Sequence, residues 1–286
     1  MHRVGKAAGL GVAALLLSGC GLDTLLYQPQ TTPEEWCSQR PCVEMGGVVL
    51  TEPWSSVLVF ALALLWIGVG VYFLVTRRGQ RSRTWFGISL LLGGLAAGSA
   101  GISYQAFSYE LKCAGREYCL LTNGYEITYS LLQVASMSAM VVAVAYALAS
   151  ARARRAITIY AVLNLLIYGV VTIAGVLMPS AFLLSFELLL VFAIPALVIA
   201  AVLAIRRRSD PLARRVLWVL VLLVLVQVAY LAYVAAGITA ILWASGIYFS
   251  ANDVLHVGML AWLVVTAVAL GPTLKDAPAC PRLGGM

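Results

Sequence analysis

Seven apolar stretches divide this chain, at residues 54–75, 85–107, 126–149, 156–178, 181–205, 214–241 and 252–271. Each is long enough to cross a hydrocarbon core of roughly 30 Å. A segment of that kind in lipid has no water to satisfy its backbone, so it must be helical; each unpaired amide group there costs several kcal/mol. The expected fold class is therefore an all-α polytopic membrane helix bundle spanning residues 54–271. Composition agrees, with 62% hydrophobic and 11% charged residues and a mean hydropathy of +0.94, far from the balance of water-soluble domains. The spans and their short connections use nearly all of the 286 residues, which leaves no stretch for a separate soluble domain.

The net charge of +7 does not point to nucleic acid, because the basic residues are clustered between apolar runs. Arg77, Arg78, Arg81 and Arg83 follow the first span, Arg152, Arg154 and Arg155 the third, and Arg206, Arg207, Arg208, Arg214 and Arg215 the fifth. These alternate connections must share a side. The others carry only Arg40, Lys112 and Arg116, together with most of the acids, so the positive-inside rule predicts an N-out, C-in protein of a bacterial cytoplasmic membrane.

Residues 1–20 read as a signal peptide: His2, Arg3 and Lys6, a short apolar run from Ala7 to Leu17, then Leu17-Ser18-Gly19-Cys20. That ending resembles a bacterial lipobox, which implies cleavage before Cys20 and a covalent lipid on its sulfur. Residues 21–53 form a polar periplasmic leader, and 272–286 a cytoplasmic tail holding Cys280. Cys37 and Cys42 in the leader and Cys113 and Cys119 after the second span are expected to face an oxidising compartment. Three connectivities are open. Local pairs, Cys37 with Cys42 and Cys113 with Cys119, are preferred, although a bond from leader to loop would restrain the leader more. A metal site is the rival reading, with His256 as the one external histidine.

Within the spans, Gly94 and Gly98, with Ala97 and Gly101 nearby, suggest a small-residue packing face, and Pro195 should kink the fifth span and free carbonyls for neighbours to satisfy. Trp54, Trp85, Trp243 and Tyr248 lie where interfacial rings anchor helices. Glu187, set among apolar residues about two turns into the fifth span, needs a partner or a proton, since charge at the bilayer centre costs at least about 2.5 kcal/mol. Glu126, Tyr129, Ser130 and Gln133 fall on one stripe of the third span, and Asn252 and Asp253 stand one turn from His256 on the seventh. The second span ends with Ser99, Ser103, Gln105, Tyr109 and Glu110. Tyr160, Asn164, Tyr168 and Thr172 make a stripe on the fourth, to which Gln227 and Tyr230 add from the sixth. A polar pocket opening outward is inferred. Its expected ligand-binding residues are Gln105, Tyr109, Glu110, Tyr129, Gln133 and Asn252, and its candidate catalytic residues are His256, Asp253, Glu126 and Glu187.

The serine-rich end of the second span and Asn252-Asp253-Val254-Leu255-His256 resemble the superfamily of alkaline ceramidases and adiponectin-type receptors. That resemblance implies seven helices and a zinc site for amide hydrolysis, built from a serine and a histidine four positions on, an aspartate at span three, and two histidines on span seven. Ser99 matches the serine and His256 the last histidine. Ser103 and Asn252 stand where the other histidines belong, and Glu126 would replace the aspartate, so zinc and amidase activity are not carried over. The segment around His256 also resembles bacterial seven-span membrane proteins, which implies no mechanism.

Three readings follow. The first is a sensor or accessory protein of the inner membrane whose pocket binds a lipid or small molecule, with no cofactor beyond the lipid on Cys20. The second is a membrane-embedded hydrolase, with His256 as general base, Asp253 or Glu126 orienting it, and Glu187 as acid or metal ligand. The third is a transporter, weakened by the lack of an inverted repeat. No phosphate-binding glycine loop, nucleophile elbow, His-Glu-x-x-His motif or lysine in the last span is present.

Overall fold

The computed structural model describes residues 21–277, so Cys20 and its lipobox-like segment, and Cys280, lie outside the described residues. The seven apolar stretches are seven long helices: α1 (Pro53–Val75), α2 (Arg81–Ala100, continued by a π-helical turn, Gly101–Ala106), α3 (Gly124–Leu148), α4 (Ala151–Leu177), α5 (Phe186–Arg206), α6 (Pro211–Ala235) and α7 (Ala251–Leu270). All are long and apolar enough to cross a membrane. The three arginine-bearing connections make one end of the bundle, here the arginine end. The leader and the α2–α3 connection make the other, the cysteine end.

Caps and prolines set where the helices begin. Asn123, Ser150, Ser185, Asp210 and Ser250 each accept a first-turn backbone N–H, and Pro53 and Pro211 open α1 and α6. One cap corrects the sequence reading. Residues 181–184 are turns, and Ser185 starts α5 at Phe186, so Glu187 sits exposed in the first turn and not two turns inside. Similarly α6 stops at Ala235 short of the expected 241, because Gly237 takes a left-handed φ of 64° and Ile238–Ala244 forms a separate short helix.

The ring helices α1, α2, α3, α5, α6 and α7 close on one another in that order, and α4 stands outside against α3 and, less extensively, α5. Their common core includes Leu62, Phe73, Leu90, Val144, Ala204, Val219 and Leu263. Large apolar side chains such as Leu64, Val170, Trp218 and Val268 are exposed around the outside, the inverse of a soluble domain and the surface that lipid solvates.

The tightest seam joins α1 to α2. A Cβ on Gly87 would stand 2.9 Å from the Gly70 carbonyl, and one on Gly94 2.9 Å from that of Ala63. Of the expected face Gly94 and Gly101 pack on α1 and Gly98 meets open space; with Gly87, a position not expected, they make a seam at seven-residue spacing. Across α2 and α3, the hydroxyls of Ser89 and Ser136 each donate to the other's carbonyl, both at 2.8 Å. Pro195 removes an N–H from α5, and Asn164 Nδ2 of α4 donates to the Phe192 carbonyl in the disturbed turn at 3.1 Å. The polar stripe of α4 is therefore packing: Tyr168 and Thr172 are buried, and Tyr168 lies against the Phe192 ring.

At the cysteine end the leader folds down onto the α2–α3 connection. Thr32 and Glu35 form a capping box on the short helix Pro33–Ser38, and a hairpin pairs β1 (Cys42–Met45) with β2 (Val48–Thr51) through Gly46 and Gly47, both at positive φ. Disulfides join Cys37 to Cys42 and Cys113 to Cys119, the local pairs. Trp36 is buried against Cys113 and Cys119, with Cys37, Cys42, Tyr27 and Tyr109 around it. Leader and loop are knit by backbone bonds, Cys119 N to Thr31 O and Leu121 N to Leu25 O, at 2.8 and 2.7 Å.

Candidate functional site

Burial along the inward faces changes from one end of the bundle to the other. The six-helix core occupies the arginine half and ends near the middle of the helices, at Leu62, Ala97, Met140, Ala200, Val226 and Met259. Followed toward the cysteine end, the same faces carry Tyr104 on α2, Gln133 and Tyr129 on α3, Gln227 and Tyr230 on α6, and Asn252 on α7, all partly or well exposed. Tyr104 is 41% exposed, although its ring stacks edge-on against Tyr129 at 6.0 Å and its hydroxyl is in electrostatic range of Glu126 and Tyr168. These faces are therefore polar and aromatic toward the cysteine end, where the six-helix core no longer covers them.

Glu126 opens α3, where Asn123 caps the helix through its side-chain oxygen. It is buried and held through one oxygen: Lys112 Nζ lies 2.5 Å from Oε1, the Ser103 hydroxyl donates to the same oxygen at 2.9 Å, and Asn123 Nδ2 donates to Ser103 at 2.7 Å. Lys112, 1% exposed, also donates to the Tyr27 hydroxyl and the Leu121 carbonyl, and its ammonium sits within 6 Å of the rings of Tyr27, Trp36 and Tyr104. Sequence reasoning took Lys112 only as an exterior charge. Its position beside Cys113, in a chain with almost no other lysine, was the available signal.

A second polar group forms where α7 begins. Ser250 and Asp253 make a capping box, with the Ser250 N–H donating to Asp253 Oδ2 at 2.6 Å, which leaves the fully buried Asp253 with an unpartnered Oδ1. His256, one turn on and also buried, has an unpartnered Nδ1. Glu52 joins them from α1, a residue the sequence reading did not select. It is the N-cap of α1 in a left-handed conformation, with its carboxylate 4.0 Å from Arg40 Nε and in electrostatic range of Asp253. Burial holds its carboxyl above the ordinary range; Arg40 opposes that shift, Asp253 reinforces it, and a hydrogen bond with Ser55 opposes it.

The expected catalytic quartet is not one constellation. Among the described residues no hydrogen bond or ion pair joins Glu126 to Asp253 or His256, and Glu187 is exposed at the start of α5. Nor is any group of three or more His, Cys, Asp or Glu among them disposed to hold a metal. Of the expected ligand-binding residues, Tyr129, Gln133 and Asn252 are half-buried on these faces. Gln105 is buried with its Oε1 unpartnered. Tyr109 packs on the Trp36 cluster and Glu110 accepts from the Val49 N–H at 2.7 Å, so both serve the cap. Surface grooves of about 500 and 420 Å³ flank α1, but their lining, for example Val57, Phe60 and Leu64, is apolar and suits acyl chains. The chain matches no known family model, no curated protein and no solved structure.

Proposed function

We propose that the protein is a sensor or accessory protein of a bacterial inner membrane, with its cysteine end in the periplasm and its vestibule binding a lipid or small polar molecule from that side. The observation that carries this reading is the end of the apolar core near mid-membrane, beyond which Tyr104, Tyr129, Gln133, Gln227 and Tyr230 replace it. Arginines gathered at one end support the orientation, because guanidiniums are retained on the cytosolic side. Two disulfides at the other end agree with an oxidising compartment. Lipidation of Cys20 belongs to the same reading. What supports it is the lipobox-like Leu17-Ser18-Gly19-Cys20 of the sequence.

The test is access. Gln133→Cys and Gln227→Cys in intact cells should react with a membrane-impermeant maleimide added from outside, and Leu263→Cys, deep in the core, should not. Failure of both vestibule positions to label would remove the pocket. A hydrolase remains the second reading, favoured by the unpartnered Asp253 Oδ1 and His256 Nδ1 one turn apart on α7. In that case His256 acts as general base with Asp253 orienting it, and function that survives His256→Ala excludes it.

A further inference from the structure

The arginine end holds charge that the chain itself does not neutralise. The three ion pairs among the described residues, Arg40–Glu52, Lys112–Glu126 and Arg116–Asp23, all lie at the cysteine end. Two carboxylates stand near the arginines, and both cap helices: Asp210 accepts the Leu212 N–H, and Asp276 accepts those of Arg81 and Ser82. Arg83 and Arg215 have favourable places, donating to the Gly271 and Ala269 carbonyls at the C-terminal end of α7. Arg81 and Arg154 do not. They lie in the first turns of α2 and α4, where the helix dipole opposes positive charge. Even so, both converge on one ring. The Arg81 guanidinium donates to the Tyr146 hydroxyl at 3.3 Å, and the Arg154 guanidinium sits 4.9 Å from the Tyr146 ring centre.

We infer that Arg81 and Arg154, set around Tyr146, bind the phosphate of an anionic phospholipid in the leaflet at the arginine end. Both guanidiniums meet the same ring, the Asp276 carboxylate near Arg81 is taken up by the Arg81 and Ser82 N–H groups, and the planar guanidinium fork suits phosphate oxygens. The choice of a lipid over a soluble phosphate comes from the groups one turn deeper. Trp85 follows Arg81 on α2, and Ile157 and Tyr160 follow Arg154 on α4; all are half-buried against Val141 and Val142 of α3. The Tyr160 hydroxyl has no hydrogen-bond partner. An aromatic and apolar wall directly below a cationic clamp is matched by a headgroup continuous with acyl chains.

The experiment uses the full-length protein in neutral detergent, with thermal unfolding followed as lipid is added. Dioleoyl phosphatidylglycerol should raise the unfolding temperature and dioleoyl phosphatidylcholine should not. Its half-saturating concentration should rise at least about tenfold in the Arg81→Gln/Arg154→Gln double variant and stay within about twofold in an Arg206→Gln/Arg207→Gln control, which removes the same charge elsewhere. Equal losses in the two variants would reduce the effect to overall charge and overturn the site. Inorganic phosphate that reproduces the whole shift would overturn the lipid as its source. Should the double variant not fold, tryptophan-fluorescence quenching by brominated phosphatidylglycerol decides with Trp85→Phe: the quenching should fall by at least about half if lipid lies beside Trp85, and an unchanged signal overturns the inference.

Discussion

Lys112 and Glu126 show what a charge requires when it is taken out of water. Each is almost wholly buried, and each has neighbours that complete its hydrogen bonding: a hydroxyl on the carboxylate, and a phenol, a carbonyl and three rings around the ammonium. Removing one partner leaves the other desolvated and unpaired, at a cost of about 3–5 kcal/mol, while removing both costs less than the sum. Lys112→Met should therefore lower the unfolding temperature sharply, and adding Glu126→Gln should recover part of the loss; additive losses would show the pair to be uncoupled. Glu52 differs, because its one cationic neighbour is at the 4.0 Å limit and burial wins. A carboxyl whose pKa is raised by folding holds its proton more tightly in the folded state. Its contribution to stability is thus complete below the unfolded value of 4.5 and is lost as pH rises through the higher folded value. Glu52→Gln should abolish that decline and unfold at a higher temperature than wild type near pH 7, measured by thermal scans between about pH 4 and pH 8. A wild-type scan that is flat over this range, or one that rises, would contradict the assignment.

Elements meet here through small residues and backbone, as expected where lipid supplies no hydrophobic drive between helices. Gly87 has no space for a side chain, since even a Cβ would press on Leu74 and the Gly70 carbonyl. Gly87→Val should separate α1 from α2 and destabilise the bundle by about 1–3 kcal/mol, whereas Gly98→Val, in open space, should fall within about 0.5 kcal/mol. Unfolding of both variants in detergent compares them directly, and equal effects would refute the seam. The seven helices could be read from hydropathy because length and composition alone decide which segments enter lipid. The arginine alternation could also be read, since it depends on order along the chain, whereas the disulfide pairing could be preferred but not fixed, because it depends on which cysteines the fold brings together. Which glycines pack, and where α5 starts, could not. Gly94 and Gly98 are alike in sequence, and only the direction of the neighbouring helix separates them. Glu187 was misplaced because the apolar run extends back through residues 181–184, while the Ser185 hydroxyl, not hydropathy, fixes the first turn. Lys112 and Glu52 escaped selection for a related reason, as their partners are remote in sequence and are brought together by the folded leader.

At the scale of the whole molecule the bundle is two unlike halves. The arginine half is packed across all six ring helices; in the cysteine half the packing splits into local clusters, one of them around Tyr168 and Leu189, and the inward faces become polar and aromatic. At that end the leader and the α2–α3 connection, each closed by its own disulfide, pack together around Trp36. This asymmetry makes opposite demands on substitutions at matched depths either side of mid-membrane. Leu263, with no exposure, should lose about 2–5 kcal/mol on truncation to Ala, since the six-helix core cannot collapse to fill the space. Gln133→Leu replaces a polar side chain in the vestibule with an apolar one of similar size, and should change stability by less than about 1 kcal/mol, because neither side chain is enclosed by packed neighbours. Denaturant titration of the two variants in the same detergent measures the difference. If Gln133→Leu proves as costly as Leu263→Ala, Gln133 has a buried hydrogen-bonding role, the cysteine half is as tightly filled as the arginine half, and no ligand enters between the helices from that side.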